Sequence, residues 1–110
     1  MEEIIKGDVV VIPFPFSDLT SAKRRPALVV ANLAGDDYIL AQITTVVRSD
    51  EYAIPLGMRD FRKGNLPQPS IIRPNKLFTA DKSLIAYRAG NIKEEKIKEV
   101  EQALVKIFTK

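Results

Sequence analysis

The stretch Arg25-Pro26-Ala27-Leu28-Val29-Val30 begins with a cation and a proline and continues as a run of apolar residues. Two similar apolar runs flank it, residues 9–12 before it and residues 38–47 after it. Continuous apolar runs of this length are typical of strands buried on both faces, as in a small closed barrel or a sheet with a dimer partner. The segment 32–37 between the second and third runs contains a glycine and two aspartates, which predicts a hairpin.

The segments beyond residue 50 carry shorter strand signals. We expect strands over 52–56 and 75–80 and an extended stretch over 70–73, which follows two prolines. Residues 57–64 are rich in glycine and cations and predict a polar excursion without a strand.

The end of the chain predicts an amphipathic helix that packs on the barrel or on a partner. Apolar residues recur there at helical spacing, with Lys and Glu between them: Ile97, Val100, Leu104, Ile107 and Phe108. Asn91 is the predicted N-cap, and Glu94 would complete a capping box three residues later. The predicted fold class is therefore mainly β with one C-terminal helix, in a single domain over residues 1–110.

The composition excludes most catalytic chemistry. The chain has no cysteine and no histidine, so thiolate catalysis and the usual general base near neutral pH are both absent. The five glycines are scattered and form no phosphate-binding loop. Acidic pairs at 36–37 and 50–51 lie in turn-like settings without metal-binding spacing, so we expect no metal and no cofactor. Catalysis must then come from carboxylates, hydroxyls, Lys, Arg, Tyr or backbone amides.

The charge and the termini place few limits on partners. Seventeen basic and fourteen acidic residues give a net charge of +3, which permits nucleic-acid binding without requiring it. The acidic first residues do not resemble a secretory signal, and the apolar runs are too short to span a bilayer. We expect a cytoplasmic protein with no membrane partner.

Two polar segments at the ends of apolar strands are candidate sites. Residues 23–25 are three consecutive cations, and Arg25, which Pro26 holds in extended conformation, offers a planar fork to phosphate oxygens. Residues 44–45 are both threonine and lie where the third apolar run gives way to polar residues. Each segment also has an ordinary structural interpretation, since basic turns are commonly solvated and threonine is a frequent strand residue.

Together, Gly7-Asp8-Val9-Val10, the Arg25–Val30 run and Ile43-Thr44-Thr45 resemble the MazF/PemK toxins of bacterial and archaeal toxin–antitoxin pairs. Gly90 and the terminal helix agree in order and spacing, so the resemblance covers nearly the whole chain. It implies an SH3-like small β-barrel with a C-terminal helix, acting as a homodimeric, sequence-specific endoribonuclease on single-stranded RNA. It also implies a separate antitoxin protein whose disordered acidic tail covers the basic cleft.

The resemblance implies that Arg25 and Thr44 are the catalytic pair. The RNA would supply the nucleophile, its 2′-hydroxyl, and the products would be a 2′,3′-cyclic phosphate and a 5′-hydroxyl, without a metal. The first loop carries Ser17-Asp18 where many members of the family have an acidic step closer to the arginine, and Phe16 there is either a base-stacking residue or part of the core. The candidate RNA-binding residues are Phe16, Ser17, Asp18, Lys23, Arg24, Thr45 and Arg48.

Two other functions remain open at this point. The same fold serves a toxin that poisons DNA gyrase by binding it without cutting RNA. A plain SH3-like module that binds nucleic acid or protein is the other alternative. The presence of both Arg25 and Thr44 favours the ribonuclease.

Overall fold

A computed structural model gives the fold and describes residues 3–14, 23–45 and 50–110, the side chains of Phe14 and Lys23 excepted. Within these ranges the chain forms seven strands, two single 3₁₀ turns and one helix. The strands and the helix are β1 (Asp8–Phe14), β2 (Lys23–Asn32), β3 (Asp37–Thr44), β4 (Ile54–Leu56), β5 (Phe61–Gly64), β6 (Ser70–Asp81), β7 (Tyr87–Ile92) and α1 (Glu94–Phe108). The 3₁₀ turns are Met58–Asp60 and Lys82–Leu84.

The seven strands form one curled antiparallel sheet in the order β4-β6-β3-β2-β1-β7-β5. The predicted hairpin joins β2 to β3, and Gly35 in its turn has a φ of +80°, a conformation that glycine adopts without steric cost. This half-barrel with a C-terminal helix confirms the predicted mainly-β fold class.

Successive side chains of a strand point to opposite faces of the sheet. In this curled sheet both faces carry buried apolar side chains. One face, called here the helix face, packs against α1 through Val100 and contributes a core cluster made of Val9, Leu28, Ala41, Ile43, Ile54, Leu56, Phe61, Ile72, Ile92 and Val100. The other face, called here the far face, contributes a second cluster of Ile4, Val10, Ile12, Ala27, Val29, Tyr38, Leu40, Ala80 and Ile85. The continuous apolar runs of β1–β3 follow from this double burial. The helix packs on the sheet through Val100 as predicted, whereas Phe108, which the predicted stripe includes, is 71% exposed.

The sequence prediction is wrong about the start of the helix. Lys93 is the N-cap residue of α1 and makes no side-chain capping hydrogen bond. Asn91 instead belongs to β7, where its amide donates to the Asp8 carboxylate at 2.9 Å. The first turn is stabilised by Glu94 and Glu95, whose charges oppose the positive end of the helix dipole.

The second half of the sheet also differs from the prediction. β5 lies inside the expected polar excursion, where Phe61 is its one buried residue. Its backbone runs so close to β7 that a Cβ on Gly90 would lie 2.5 Å from the Lys63 carbonyl oxygen. β7 itself has no apolar run, and β6 joins the two segments predicted at 70–73 and 75–80 into one strand.

The Gly7-Asp8 step has a structural explanation. Asp8 is 1% exposed and accepts hydrogen bonds from the Ile5 backbone N–H at 2.9 Å, the Asn91 amide at 2.9 Å and the Arg88 guanidinium at 3.1 Å. Gly7 has a φ of +94°, and a Cβ there would lie 2.6 Å from Ile97 Cδ1 of α1. One buried carboxylate therefore connects the N-terminal segment, β1 and β7, while Gly7 allows the close approach of α1.

Replacing Asp8 should destabilise the protein strongly. In Asp8→Ala the Arg88 guanidinium and two N–H donors lose their buried acceptor, and we expect the free energy of unfolding to fall by about 3 kcal/mol or more. Urea unfolding followed by circular dichroism measures this loss. The control Asp36→Ala removes an exposed turn carboxylate and should change the free energy by less than about 0.5 kcal/mol. Equal losses in the two variants would contradict the assigned role of Asp8.

Candidate functional site

Arg25 and Thr44 lie at the same end of the neighbouring antiparallel strands β2 and β3. Ala27 lies opposite Gln42, and two residues further along each antiparallel strand come Arg25 and Thr44. The pairing of β2 with β3 ends at Ala27 and Gln42, so the two residues predicted to be the catalytic pair lie just beyond it, and strand alternation places both on the far face.

The surroundings of this pair are partly apolar. Thr44 is 7% exposed and Arg25 is half-buried. Arg25 lies opposite Ile12 in β1, and Thr44 lies opposite Ile71 in β6. Ile12 is buried and Ile71 is half-buried, so these apolar side chains limit the access of water to Arg25 from β1 and to Thr44 from β6. Electrostatic interactions with a bound anion are stronger in such a setting than in open solvent.

Arg24 and Thr45 lie on the other side of the sheet. Because strand side chains alternate, these two residues share the helix face with Pro26 and Ile43. Both line a groove of about 290 Å³ on that face. The sheet therefore divides four predicted site residues into two pairs on opposite faces of the same strand ends.

The other predicted RNA-binding residues lack a described side chain. Phe16, Ser17, Asp18 and Arg48 lie outside the described residues. Lys23 begins β2, where its backbone is opposite Phe14, and its side chain is outside the description. Their assignment remains a prediction from the sequence.

A polar cluster that the sequence does not predict, made of Gln42, Arg73 and Asp50, lies near the predicted catalytic pair. Gln42 and Arg73 lie opposite each other in β3 and β6, two residues along from Thr44 and on its face. Arg73 Nε donates to Asp50 Oδ2 at 3.2 Å, and their side chains are 12% and 9% exposed. A register shift between Ala41 and Gln42, opposite residues 74–76 of β6, aligns Arg73 here, and Pro74 is its local sequence signal.

The Asp50 carboxylate is held in its ionised form. The Tyr52 backbone N–H donates to Asp50 Oδ1 at 2.9 Å. This hydrogen bond, followed by the interactions with Arg73, holds the pKa of Asp50 below its ordinary value of 3.8 although burial acts in the opposite direction. The ion pair with Arg73 therefore persists at neutral pH.

The stabilising effect of Asp50 should depend on pH. Since its pKa is lowered by folding, the ionised carboxylate stabilises the folded protein at pH values above 3.8, and this contribution disappears as the pH falls through the lower, folded pKa. Asp50→Asn should therefore have a lower urea midpoint than the wild type at about pH 7, and the difference should shrink by about pH 3. Asp36→Asn, at an exposed position, controls for the loss of one negative charge. A difference that is constant across this range would show that Asp50 does not act through its charge.

The described residues were also compared with the requirements of a metal site and of a membrane-spanning helix. Among residues 3–14, 23–45 and 50–110, no three acidic side chains come together in a group that could hold a metal ion. In the same ranges, the structure has no helix with the length and apolar character required to cross a membrane.

Nearly the whole chain matches one protein family. The family model described as PemK-like, MazF-like toxin of type II toxin–antitoxin system matches residues 5–108. No curated protein matches the chain as a sequence relative.

Several solved structures share this fold. An endoribonuclease in complex with its cognate antitoxin, from a mycobacterial species, superposes with a TM-score of 0.77 at 16% identity, over 96% of this chain and 95% of its own. MazF in a MazE–MazF crystal structure from Deinococcus radiodurans gives 0.74 at 16% identity, with 94% of each chain covered. The Mycobacterium tuberculosis toxin MazF-mt6 gives 0.72 at 18% identity, over 92% of this chain and 95% of its own. At these identities the likeness establishes the fold.

Proposed function

Because the chain belongs to the PemK-like, MazF-like toxins of type II toxin–antitoxin systems, we propose that it is an endoribonuclease that cleaves single-stranded RNA without a metal. The location of Arg25 and Thr44 at the same end of the neighbouring strands β2 and β3 is the observation that supports this proposal. A guanidinium and a hydroxyl on a partly apolar surface form a compact binding site for one phosphate group. The description of two structural relatives as endoribonucleases agrees with it.

The proposed reaction uses a nucleophile from the RNA itself. The 2′-oxygen attacks the adjacent phosphorus, the bond from phosphorus to the 5′-oxygen breaks, and a 2′,3′-cyclic phosphate and a 5′-hydroxyl result. The 2′-hydroxyl loses its proton to water, and the leaving 5′-oxygen takes one from water. This scheme needs no histidine, which agrees with the composition.

Arg25 and Thr44 would act on the charge that develops at phosphorus. The Arg25 guanidinium offers two parallel N–H donors to the phosphorane oxygens, and the Thr44 hydroxyl donates to one of them. The guanidinium acts in this scheme as a fixed positive charge with several N–H donors and takes no proton from the RNA. The pair therefore stabilises the transition state electrostatically.

The proposal extends to the binding partners. Residues 1–110 act as one domain that forms a homodimer in the cytoplasm, and a separate antitoxin with an acidic tail covers the basic cleft and inhibits cleavage. Related folds have been solved with a cognate antitoxin and as MazE–MazF. RNA contacts beyond the catalytic pair are assigned, as predictions from the sequence, to Phe16, Ser17, Asp18, Lys23, Arg24, Thr45 and Arg48.

Cleavage in the absence of metal should depend on both catalytic residues. The wild type, incubated with a long single-stranded RNA in excess EDTA, should produce discrete cuts with 5′-hydroxyl and cyclic phosphate ends. Arg25→Ala and Thr44→Val should each reduce the rate by about 10²-fold or more, the usual effect of removing one preorganised donor. End mapping by primer extension and phosphatase sensitivity identify the products.

Arg62→Ala is the matched control, because Arg62 is an exposed cation of β5 outside this site. It should cut at the wild-type rate, and urea midpoints should show that all variants are folded. Failure of the wild type to cut would overturn the ribonuclease proposal and direct attention to gyrase inhibition. Equal cutting by Arg25→Ala would overturn the mechanism.

A further inference from the structure

The groove on the helix face has walls suited to a flat, partly apolar ligand. Tyr87, the first residue of β7, lies opposite Val11 of β1, which in turn lies opposite Pro26 of β2. All three residues line the groove, and Leu66 and Pro67 line it as well. The Tyr87 side chain is 50% exposed. A half-exposed aromatic ring beside apolar residues and proline offers a flat surface for stacking. Its apolar face interacts weakly with water, so covering it with a ligand is favourable.

Polar side chains of this groove match the rest of a nucleotide. Arg24, which is exposed, supplies a guanidinium for a backbone phosphate. Thr45 and Gln68 are exposed as well and carry a hydroxyl and an amide, groups that hydrogen-bond to base edges. The Ser70 hydroxyl donates to the Gln68 carbonyl oxygen at 3.0 Å, which fixes the backbone at Gln68.

The groove and the proposed catalytic pair belong to the same two strand ends. Arg24 and Thr45 in the groove are chain neighbours of Arg25 and Thr44, and strand alternation places the two pairs on opposite faces. A single RNA strand that crosses these ends can therefore bring a phosphate to one face and a nearby base to the other. The volume of about 290 Å³ is that of a small ligand pocket and suits one base better than a folded protein element.

We propose that this groove is a pocket for one unstacked base of the RNA, located next to the nucleotide whose phosphate contacts Arg25 and Thr44. The base stacks on Tyr87, and Gln68 and Thr45 contact its edge, so the groove contributes to the choice of cleavage sequence. This inference rests on the proposed ribonuclease function.

The first test measures binding without cleavage. Fluorescence anisotropy of a labelled RNA that spans one mapped cut compares Arg25→Ala with Arg25→Ala/Tyr87→Ala and Arg25→Ala/Tyr87→Phe. If no cut is found, a labelled single-stranded RNA of mixed sequence takes its place. Loss of the ring should weaken binding by about tenfold, whereas phenylalanine should retain it because the stacking surface remains. Met58→Ala, at an apolar position that is 75% exposed and outside the groove, is the control for a surface truncation. Unchanged binding in the Tyr87→Ala protein would overturn the pocket.

The second test locates the base. RNAs in which each nucleotide near the cut is replaced in turn by an abasic one are cleaved by the wild type and by Tyr87→Ala. One abasic position should raise the KM of the wild type about tenfold with little effect on kcat, and the same substitution should have no further effect in Tyr87→Ala. Additive effects at every position would overturn the assignment of a base to this groove.

Two outcomes distinguish the base pocket from the ribonuclease itself and from a contact between copies of the chain. A wild type that binds RNA through Tyr87 without cutting it would refute the proposed ribonuclease and leave the base pocket supported. A Tyr87→Ala protein whose elution and light scattering show a changed oligomeric state would overturn the pocket and identify the groove as an interface between two copies. Urea midpoints equal to those of the parent proteins should show that the variants are folded.

Discussion

The buried carboxylate of Asp8 is the interaction on which the rest of the structure depends. It accepts hydrogen bonds from Arg88 and Asn91 of β7 and from the backbone of Ile5, and so fixes β1 to its neighbour in the sheet. Charged groups are buried only when they are paired, and an unpaired partner is costly, so the contact specifies one arrangement of the strands. β1 in turn pairs with β2, and this pairing sets the position of Arg25 opposite Ile12.

Burial on both faces of the sheet explains why the strand ends carry the candidate site. In the middle of β1–β3 nearly every side chain belongs to one of the two core clusters, which leaves little room for polar chemistry. Polar residues can reach solvent only where the strands end, and there alternation sends Arg25 and Thr44 to one face and Arg24 and Thr45 to the other. A small fold with one sheet thus offers two adjacent polar surfaces at the same strand ends, and these are the surfaces on which the proposed RNA contacts lie.

Much of the fold follows from local patterns in the sequence. The apolar runs predict β1, β2 and most of β3. The glycine at position 35 predicts the hairpin between β2 and β3, and the helical stripe predicts α1. β5 and β7 could not be predicted, because they are short or polar strands whose position depends on close backbone approach at Gly90. The sequence predicts Asn91 at the start of the helix because its capping signal is local, whereas its hydrogen bond to Asp8 is long-range.

Only part of the candidate site could be predicted from the local sequence, because the rest depends on contacts between strands that are distant in the chain. Arg25 and Thr44 are selected by the resemblance to the MazF/PemK toxins, and the structure adds that they lie at the same end of neighbouring strands. The ion pair of Arg73 with Asp50 and the groove beside Tyr87 arise from the register of strands that are distant in sequence. Pro74 is a local signal of a bulge in β6, but it does not give the register shift between Ala41 and Gln42 that aligns Arg73 with Gln42.

Cleavage of an RNA that carries a single 2′-deoxynucleotide tests the central claim most directly, since the claim is that the substrate supplies the nucleophile to a site made of Arg25 and Thr44. The deoxynucleotide is placed immediately 5′ of a mapped cut, and an otherwise identical all-ribose RNA serves as the control. The account predicts that the modified RNA still competes for binding and that cleavage at this bond is lost while cuts at other sites persist. Cleavage of the modified bond at the rate of the control would contradict it, because the attacking oxygen would then have to come from water or from the protein.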